Sequence, residues 1–233
     1  MNKKKKNRPI PPCPGNPEDY TWHNTREGGH WQKKRGTVTT ATLNKSFKNN
    51  VKLTRIVSPI AVTLRKKLIP YLEYLDTGRF IANVSGRLKK EYNKSGKLDF
   101  VGLLDYEIQP YRILEKLLRC AYEVQLNKNE VIIEIPVMER AVAKGNNLMT
   151  GYFFEAILMY GDITKPNSLR TDSEISPVYE FRLKARTTCR LSLLLPSKKV
   201  SWMVLLKLSC VYGKEIATYD KYHGMRVVWA ERA

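Results

Sequence analysis

Basic side chains interleaved with aromatic ones are the feature of the N-terminal segment whose chemistry is most readily defined. Two basic blocks flank Trp22 and Trp31, and they comprise Lys3, Lys4, Lys5, Lys6 and Arg8 in the first block and Lys33, Lys34 and Arg35 in the second. Such cations bind a phosphate backbone by displacing condensed counterions, and tryptophan rings stack on unpaired bases for about 1 to 3 kcal/mol per base. The pattern predicts nucleic-acid binding. The alternatives are a solubilising tail, and tryptophans that hold the arm to the protein's own surface or to a neighbouring subunit.

Two further basic groups lie in segments with helical periodicity, and they comprise Arg65, Lys66 and Lys67 in the first segment and Arg87, Lys89 and Lys90 in the second. If the two helices pack side by side, these groups form one positive surface. A charged run is usually the solvated face of a helix, but acidic residues four positions away are sparse here. The sequence has no helix-turn-helix, zinc-finger or RNP-type aromatic signature. We therefore expect contacts to phosphates rather than sequence-specific reading of bases.

Motifs that catalysis would need are absent from the sequence. It has no phosphate-binding loop, dinucleotide fingerprint, zinc-protease motif or serine-hydrolase elbow. Cys13, His23 and His30 could share a zinc ion, but their spacing matches no standard zinc module, and a solvent-exposed tail without a metal is favoured. We expect neither enzymatic activity nor a cofactor. A third hypothesis is an enzyme that acts on an anionic polymer through carboxylates that meet only in the fold.

The charge balance indicates an anionic partner. The chain has 233 residues, of which 41 are Lys or Arg and 22 are Asp or Glu, so the formal net charge is +19. Residues 1–48 carry 11 basic and 3 acidic side chains, residues 49–119 carry 14 and 7, and residues 120–233 carry 16 and 12. Such an excess costs self-repulsion in the folded state, and binding of a polyanion is the common reason to carry it. Asp99, Asp105 and Glu107 cluster in the sequence, and we expect them to balance neighbouring lysines.

The middle of the chain is predicted to be helical. Ser58 and Pro59 supply an N-cap and a first helical residue, and apolar residues recur from there at intervals of three and four. Pro70 predicts a kink or an end of this helix near Ile69. A second helix is predicted from about Thr77 to Tyr92, and residues 111–118 predict one or two further helical turns.

The C-terminal half is predicted to consist of strands. Residues 122–126 and 131–135 flank a turn and predict a hairpin, and five further strands are predicted over residues 152–160, 178–185, 190–195, 200–211 and 225–231. The fold class is therefore α+β, with a basic extended N-terminal arm, two to three amphipathic helices and an antiparallel β-sandwich or barrel-like C-terminal half. The expected divisions are a flexible arm over residues 1–35, a mainly helical basic region over residues 36–119 and a β-rich domain over residues 120–233.

A cytoplasmic location is expected from the absence of targeting signals. The lysines at the start are followed by a proline-rich stretch rather than by the apolar stretch of a secretory signal. The longest apolar runs, such as Val200 to Leu206, are much shorter than the roughly 20 residues needed to span a bilayer.

Several short motifs resemble a family of small basic proteins from Bacteroidetes that has no assigned activity. They are Arg35 to Val38, Val57 to Val62, Leu64 to Tyr71, Gly78 to Phe80 and Asp105 to Pro110. The resemblance implies a bacterial cytoplasmic protein and transfers no functional residue. The lysine-rich opening of the chain is not part of the family pattern.

Two functions from different classes follow. The leading hypothesis is a non-catalytic protein that binds nucleic acid or another polyanion through its phosphate backbone. The alternative is a structural or assembly subunit, which self-associates through its β-rich domain and its N-terminal arm.

Overall fold

The computed structural model of the chain describes residues 10–25, 28–34, 45–111, 113–143, 148–181, 186–196 and 199–232. Contacts within the chain group residues 1–50 and residues 51–233 into two compact units. The predicted division at residues 35 and 119 stays a prediction. No helix among the described residues is long and apolar enough to cross a membrane.

A two-stranded antiparallel hairpin lies within residues 1–50. Its strands are β1 (Tyr20–Thr25) and β2 (Gly28–Lys33), and Trp22 lies opposite Trp31 in the register. A 3-10 helix over Pro17–Asp19 precedes it, and the side chain of Asn16 accepts a hydrogen bond from the backbone N–H of Glu18. The sequence predicted an extended arm here, because the strands contain few aliphatic residues and so lack the usual alternating pattern.

The first long helix, α1, covers Lys45–Leu68. The predicted start at Ser58 is wrong, since Pro59 lies inside the helix. Buried Leu53 and Val57 extend the apolar stripe toward the N-terminus, and their burial stabilises turns that the proline would otherwise end. Pro59 is exposed, so water can solvate the backbone carbonyl that loses its partner. The predicted end near Ile69 is confirmed, because a 3-10 helix over Ile69–Tyr71 follows α1.

The other helices are short. Helix α2 covers Phe80–Ser95 and ends at Gly96, whose φ of 70° is the left-handed conformation that favours glycine at this position. A 3-10 helix over Phe100–Leu103 follows, and the Asp99 side chain caps it. Helix α3 covers Leu114–Leu117, within the predicted helical segment.

Nine strands in the described part of residues 51–233 form two antiparallel sheets. The smaller sheet has the order β3-β4-β8, and the larger has β9 and β5 at its centre with β6 and β7 beside β5 and β10 and β11 beside β9. The strands are β3 (Glu123–Leu126), β4 (Glu130–Val137), β5 (Gly151–Tyr160), β6 (Arg170–Ile175), β7 (Tyr179–Glu180), β8 (Thr187–Leu194), β9 (Trp202–Tyr212), β10 (Glu215–Ile216) and β11 (His223–Glu231). The predicted hairpin of β3 and β4 is confirmed. Strands β6 and β10 were not predicted, because β6 is largely polar and β10 has two residues.

The larger sheet has a buried cluster on each face. On one face, Phe154, Leu158 and Leu206 share a cluster with Ile133 and Leu191 of the smaller sheet. On the other face, the alternate residues of the same strands share a cluster with α1 and α2 that includes Val57, Leu64, Val84, Ile157 and Leu205. The α+β class is confirmed. The sheets do not close into a barrel, and a simple β-sandwich is not confirmed, because helices cover the second face of the larger sheet.

Candidate nucleic-acid interface

Three cations of α1 share its outward face. Lys52, Arg55 and Lys66 are exposed, and at about 100° per residue they fall within an arc of about 60°. The buried residues Leu64 and Leu68 anchor the opposite side of the helix. Lys66 is the one predicted site residue of α1 on this face. The other two predicted residues, Arg65 and Lys67, are half-buried at the flanks, and Arg65 Nη2 donates a hydrogen bond to Thr77 Oγ1 at 3.3 Å.

The cations of α2 form a second stripe. Arg79 precedes the helix, and Arg87, Lys90 and Lys94 follow at spacings that keep all four within an arc of about 80°. Lys89 falls outside this arc. We call these four residues the α2 stripe. The α2 stripe lies on the side of α2 that borders the segment after Leu104. A groove begins between the helix and this segment.

Five carboxylates of residues 91–115 are paired with arginines outside α1 and α2. Glu91 and Asp99 contact Arg232, with Glu91 Oε1 2.7 Å from Arg232 Nη2. Asp105, Glu107 and Glu115 all contact Arg226 on β11, at 2.7 Å for Asp105 Oδ1 and 3.7 Å for Glu107 Oε1. The expectation that Asp99, Asp105 and Glu107 balance neighbouring lysines is therefore wrong. In the described residues, none of the predicted cations on α1 and α2 has an ion-pair partner.

Glu107 has an unusual environment within the Arg226 cluster. Its side chain is 15% exposed, and its Oε2 accepts a hydrogen bond from the backbone N–H of Leu114 at 3.1 Å. Burial raises the pKa of Glu107 to about 7, although Arg226 and the Leu114 N–H both favour the charged form. A half-buried carboxyl group whose pKa is near 7 can take up and release a proton at neutral pH.

A groove of about 510 Å³ runs between α2 and residues 105–113. The helix side contributes Asn83, Gly86, Arg87 and Lys90, and the other side contributes Asp105, Tyr106, Glu107, Pro110 and Ile113. Arg87 is fixed in place, because its Nη1 donates to the Leu104 carbonyl at 3.1 Å and its guanidinium lies 5.3 Å from the centre of the Tyr106 ring. The fold thus brings Arg87 and Lys90 together at one groove, and it places Lys66, Lys67 and Lys89 outside it.

A second depression, of about 250 Å³, adjoins the first at Ile113, which lines both. It is lined by Tyr111, Lys116, Leu117, Ala143, Lys221 and Tyr222. None of these residues was a predicted site residue. The two parts of the depression are about 100 residues apart in sequence, and no local motif links them. The only feature of the sequence that could have indicated this depression was the occurrence of isolated tyrosines beside lysines.

The structure describes only some of the predicted site residues that lie within residues 1–50. Lys3, Lys4, Lys5, Lys6, Arg8 and Arg35 lie outside the described residues. The rings of Trp22 and Trp31 meet edge to face with centroids 5.4 Å apart, and Trp31 Nε1 donates to the Pro11 carbonyl at 2.8 Å. Lys33 and Lys34 are exposed. Both tryptophans are half-buried by contacts within their own unit, so each presents only part of its ring for stacking.

His23 and His30, which were considered as zinc ligands together with Cys13, lie next to each other. His23 and His30 lie opposite each other in the hairpin, with ring centroids 5.9 Å apart. Among the described residues, no group of three or more His, Cys, Asp or Glu side chains is placed to hold a metal ion. Cys13 therefore does not complete a site with these two rings.

Comparisons with known proteins identify no relative: no family model, no curated protein and no solved structure matches the chain. The resemblance to basic proteins from Bacteroidetes stays a prediction, and the functional argument rests on the residues described above.

Proposed function

We propose that the protein is a non-catalytic nucleic-acid-binding protein, and that the cations of α1 and α2 contact the phosphate backbone. The observation that carries the proposal is the separation of charges: Arg226 and Arg232 bind the carboxylates of residues 91–115, and the helix cations keep no internal carboxylate partner in the described chain. An unpaired, exposed ammonium group is free to replace a counterion at a phosphate.

Geometry supports a backbone contact rather than a reading of bases. Exposed Lys52, Arg55 and Lys66 form a line along α1, and the α2 stripe forms a line along α2, as expected for cations that follow a polymer of phosphates. Helix α1 is also covered on its inner face by the core. The basic blocks around Lys3 to Lys6 and Lys33 to Arg35 add to the proposal from the sequence alone.

Salt dependence is the direct test. The affinity of the chain for a labelled DNA duplex, measured by fluorescence anisotropy from about 50 to 200 mM salt, is expected to fall by orders of magnitude if several phosphates are contacted. The double variant Lys66→Gln/Lys90→Gln is expected to reduce the slope of log K against log salt by about 0.9 for each phosphate that is no longer neutralised.

Lys165→Gln is the matched control for these substitutions. Lys165 Nζ lies 3.3 Å from Asp162 Oδ2, so this cation is already paired within the protein. Its replacement removes one positive charge from the chain but should leave the salt slope unchanged. An affinity that does not depend on salt, or no binding at low salt, overturns the proposal.

Self-association is the second candidate function, and exposed apolar residues on the outer strands favour it. Leu126 on β3 is 45% exposed, Ile175 on β6 is 60% exposed and Leu194 on β8 is 75% exposed. Outer strands with apolar side chains are ready pairing elements. Light scattering of the full chain at several concentrations separates the two functions: a mass that rises with concentration, and that Leu194→Lys reduces, supports assembly, while a constant monomer mass excludes it.

A further inference from the structure

The depression beside α3 combines exposed aromatic rings with lysines. Tyr111 is 71% exposed and lines the depression together with the exposed residues Lys116 and Lys221. Tyr219 is 67% exposed and lies next to Lys221, with the Lys221 Nζ 5.5 Å from the centre of its ring. Exposed tyrosines are not unusual one at a time. Their grouping with lysines around one depression is the observation that calls for an explanation.

Contacts within the protein hold this surface in a defined shape. Lys221 Nζ lies 4.9 Å from the centre of the Tyr222 ring and 5.5 Å from that of Tyr219, and the two rings meet edge to face with centroids 6.3 Å apart. Tyr222 is buried, so it anchors the lysine and the exposed Tyr219 ring. A surface fixed in this way loses little side-chain entropy when a ligand binds.

A hydrogen bond ties the two segments of the depression together. Gln109 Nε2 donates to the backbone carbonyl of Asp220 at 3.2 Å, and the Gln109 side chain is buried. Close packing continues behind it, since a Cβ at Gly224 would lie 2.9 Å from Leu117 Cδ1. Tyr111 and Tyr219 are therefore carried by segments that cannot shift independently.

Charge around the depression suits a polyanion. Lys116 and Lys221 line it, and the adjacent carboxylate of Glu115 is bound by Arg226. Ile113 lines both the depression and the groove that holds Arg87 and Lys90, so the two hollows are neighbours. The groove also holds Asp105 and Glu107, whose carboxylates contact Arg226. We call the two neighbouring hollows the tyrosine-lysine path.

We infer that the tyrosine-lysine path binds single-stranded nucleic acid, with bases stacked on Tyr111 and Tyr219 and phosphates beside Lys116, Lys221, Arg87 and Lys90. The inference rests on the proposed function and adds the form of the ligand. In a duplex both faces of each base are already stacked, so an exposed tyrosine gains nothing from it. In a single strand the bases are open, and aromatic rings stack on them regardless of sequence.

The experiment compares a fluorescein-labelled single-stranded 20-mer of mixed sequence with the duplex of the same sequence, using the full chain at low salt and fluorescence anisotropy. The single strand is expected to bind more tightly. Tyr111→Ala/Tyr219→Ala should weaken single-strand binding by about fivefold or more per tyrosine and leave duplex binding unchanged. Tyr111→Phe/Tyr219→Phe should retain the affinity, because stacking needs the ring and not the hydroxyl.

Tyr92→Ala is the matched control. Tyr92 is 39% exposed and lies on the side of α2 away from the α2 stripe, so its replacement should change neither affinity. Thermal unfolding of each variant verifies that it is folded. Equal binding of both nucleic acids, or an alanine variant that binds the single strand as the wild type does, overturns this inference while the proposed function stands. No binding of either nucleic acid overturns the proposed function and this inference together.

Discussion

The ionisation of Glu107 should make the stability of the protein depend on pH in a way that one substitution removes. Burial raises the pKa of Glu107 from 4.5 to about 7 in the folded chain. The folded state therefore holds a proton that the unfolded state releases between these values, and stability falls as pH rises from about 4.5 to about 7. At about 1.4 kcal/mol per pH unit, the loss is about 3 kcal/mol. The side chain is 15% exposed, so solvent screens little of this effect.

Glu107→Gln keeps an oxygen to accept the Leu114 N–H and has no charge at any pH. We expect its free energy of unfolding to match that of the wild type near pH 4.5 and to exceed it by up to about 3 kcal/mol at pH 8. Urea denaturation of both proteins across this range measures the difference. His223 acts with the opposite sign, since burial lowers its pKa and stability rises as pH increases toward 6.5. Its contribution is common to both proteins and cancels.

Glu115→Gln is the control for Glu107→Gln. Glu115 contacts the same Arg226 guanidinium, but its side chain is 60% exposed, so its replacement should change stability by less than about 1 kcal/mol and leave the pH dependence intact. A Glu107→Gln protein that is less stable than the wild type at pH 8, or that keeps the wild-type pH dependence, would refute the reasoning. The first result would mean that the attraction of Arg226 outweighs the cost of burial, and the second would mean that another group sets the pH dependence.

Three further predictions concern the fold that carries the interface. Lys207 Nζ lies 3.5 Å from Glu155 Oε2, both side chains being 10% exposed, so Lys207→Met should cost roughly 3 to 5 kcal/mol in urea denaturation, and adding Glu155→Leu should recover most of it. Gly86→Ala should stabilise the folded state by about 1 kcal/mol and so raise the melting temperature, because the glycine is inside α2 with open space around it. Gly96→Ala should lower the melting temperature, because the φ of Gly96 is 70°. Pro59→Ala should raise the free energy of unfolding by about 1 to 3 kcal/mol by restoring a helix hydrogen bond.

Strongly periodic segments of the fold were predictable from the sequence, and segments held by tertiary contacts were not. The hairpin of β3 and β4 and the long strand β9 follow from runs of β-branched and aliphatic residues. The start of α1 could not be predicted from the sequence. Ser58 and Pro59 give a local signal for a helix start, whereas the burial of Leu53 against the sheet depends on tertiary contacts. The polar strand β6 is likewise fixed by its pairing with β5 rather than by its own residues.

The candidate interface was predictable to the same limited extent. Residue type and helical spacing identified Arg87 and Lys90, and the fold places both in one groove. The depression beside α3 could not be found in this way, because Tyr111 and Lys221, which both line it, are about 100 residues apart in sequence. Which cations stay unpaired was also not predictable, since it depends on the positions of Arg226 on β11 and of Arg232 directly after it.

Arg226 and Arg232 explain how residues 49–119, which include seven acidic side chains, can still present a cationic surface. Five of the seven acidic side chains of residues 49–119 contact Arg226 or Arg232. If these carboxylates were bound by the lysines of α2, the helix would expose a screened, salt-bridged surface of little use to a polyanion. Instead the last strand neutralises them from the inner side, where Arg226 is 14% exposed, and the outward cations stay free. Under the proposed function, Arg226 therefore shapes the electrostatic potential of the surface without itself contacting the nucleic acid.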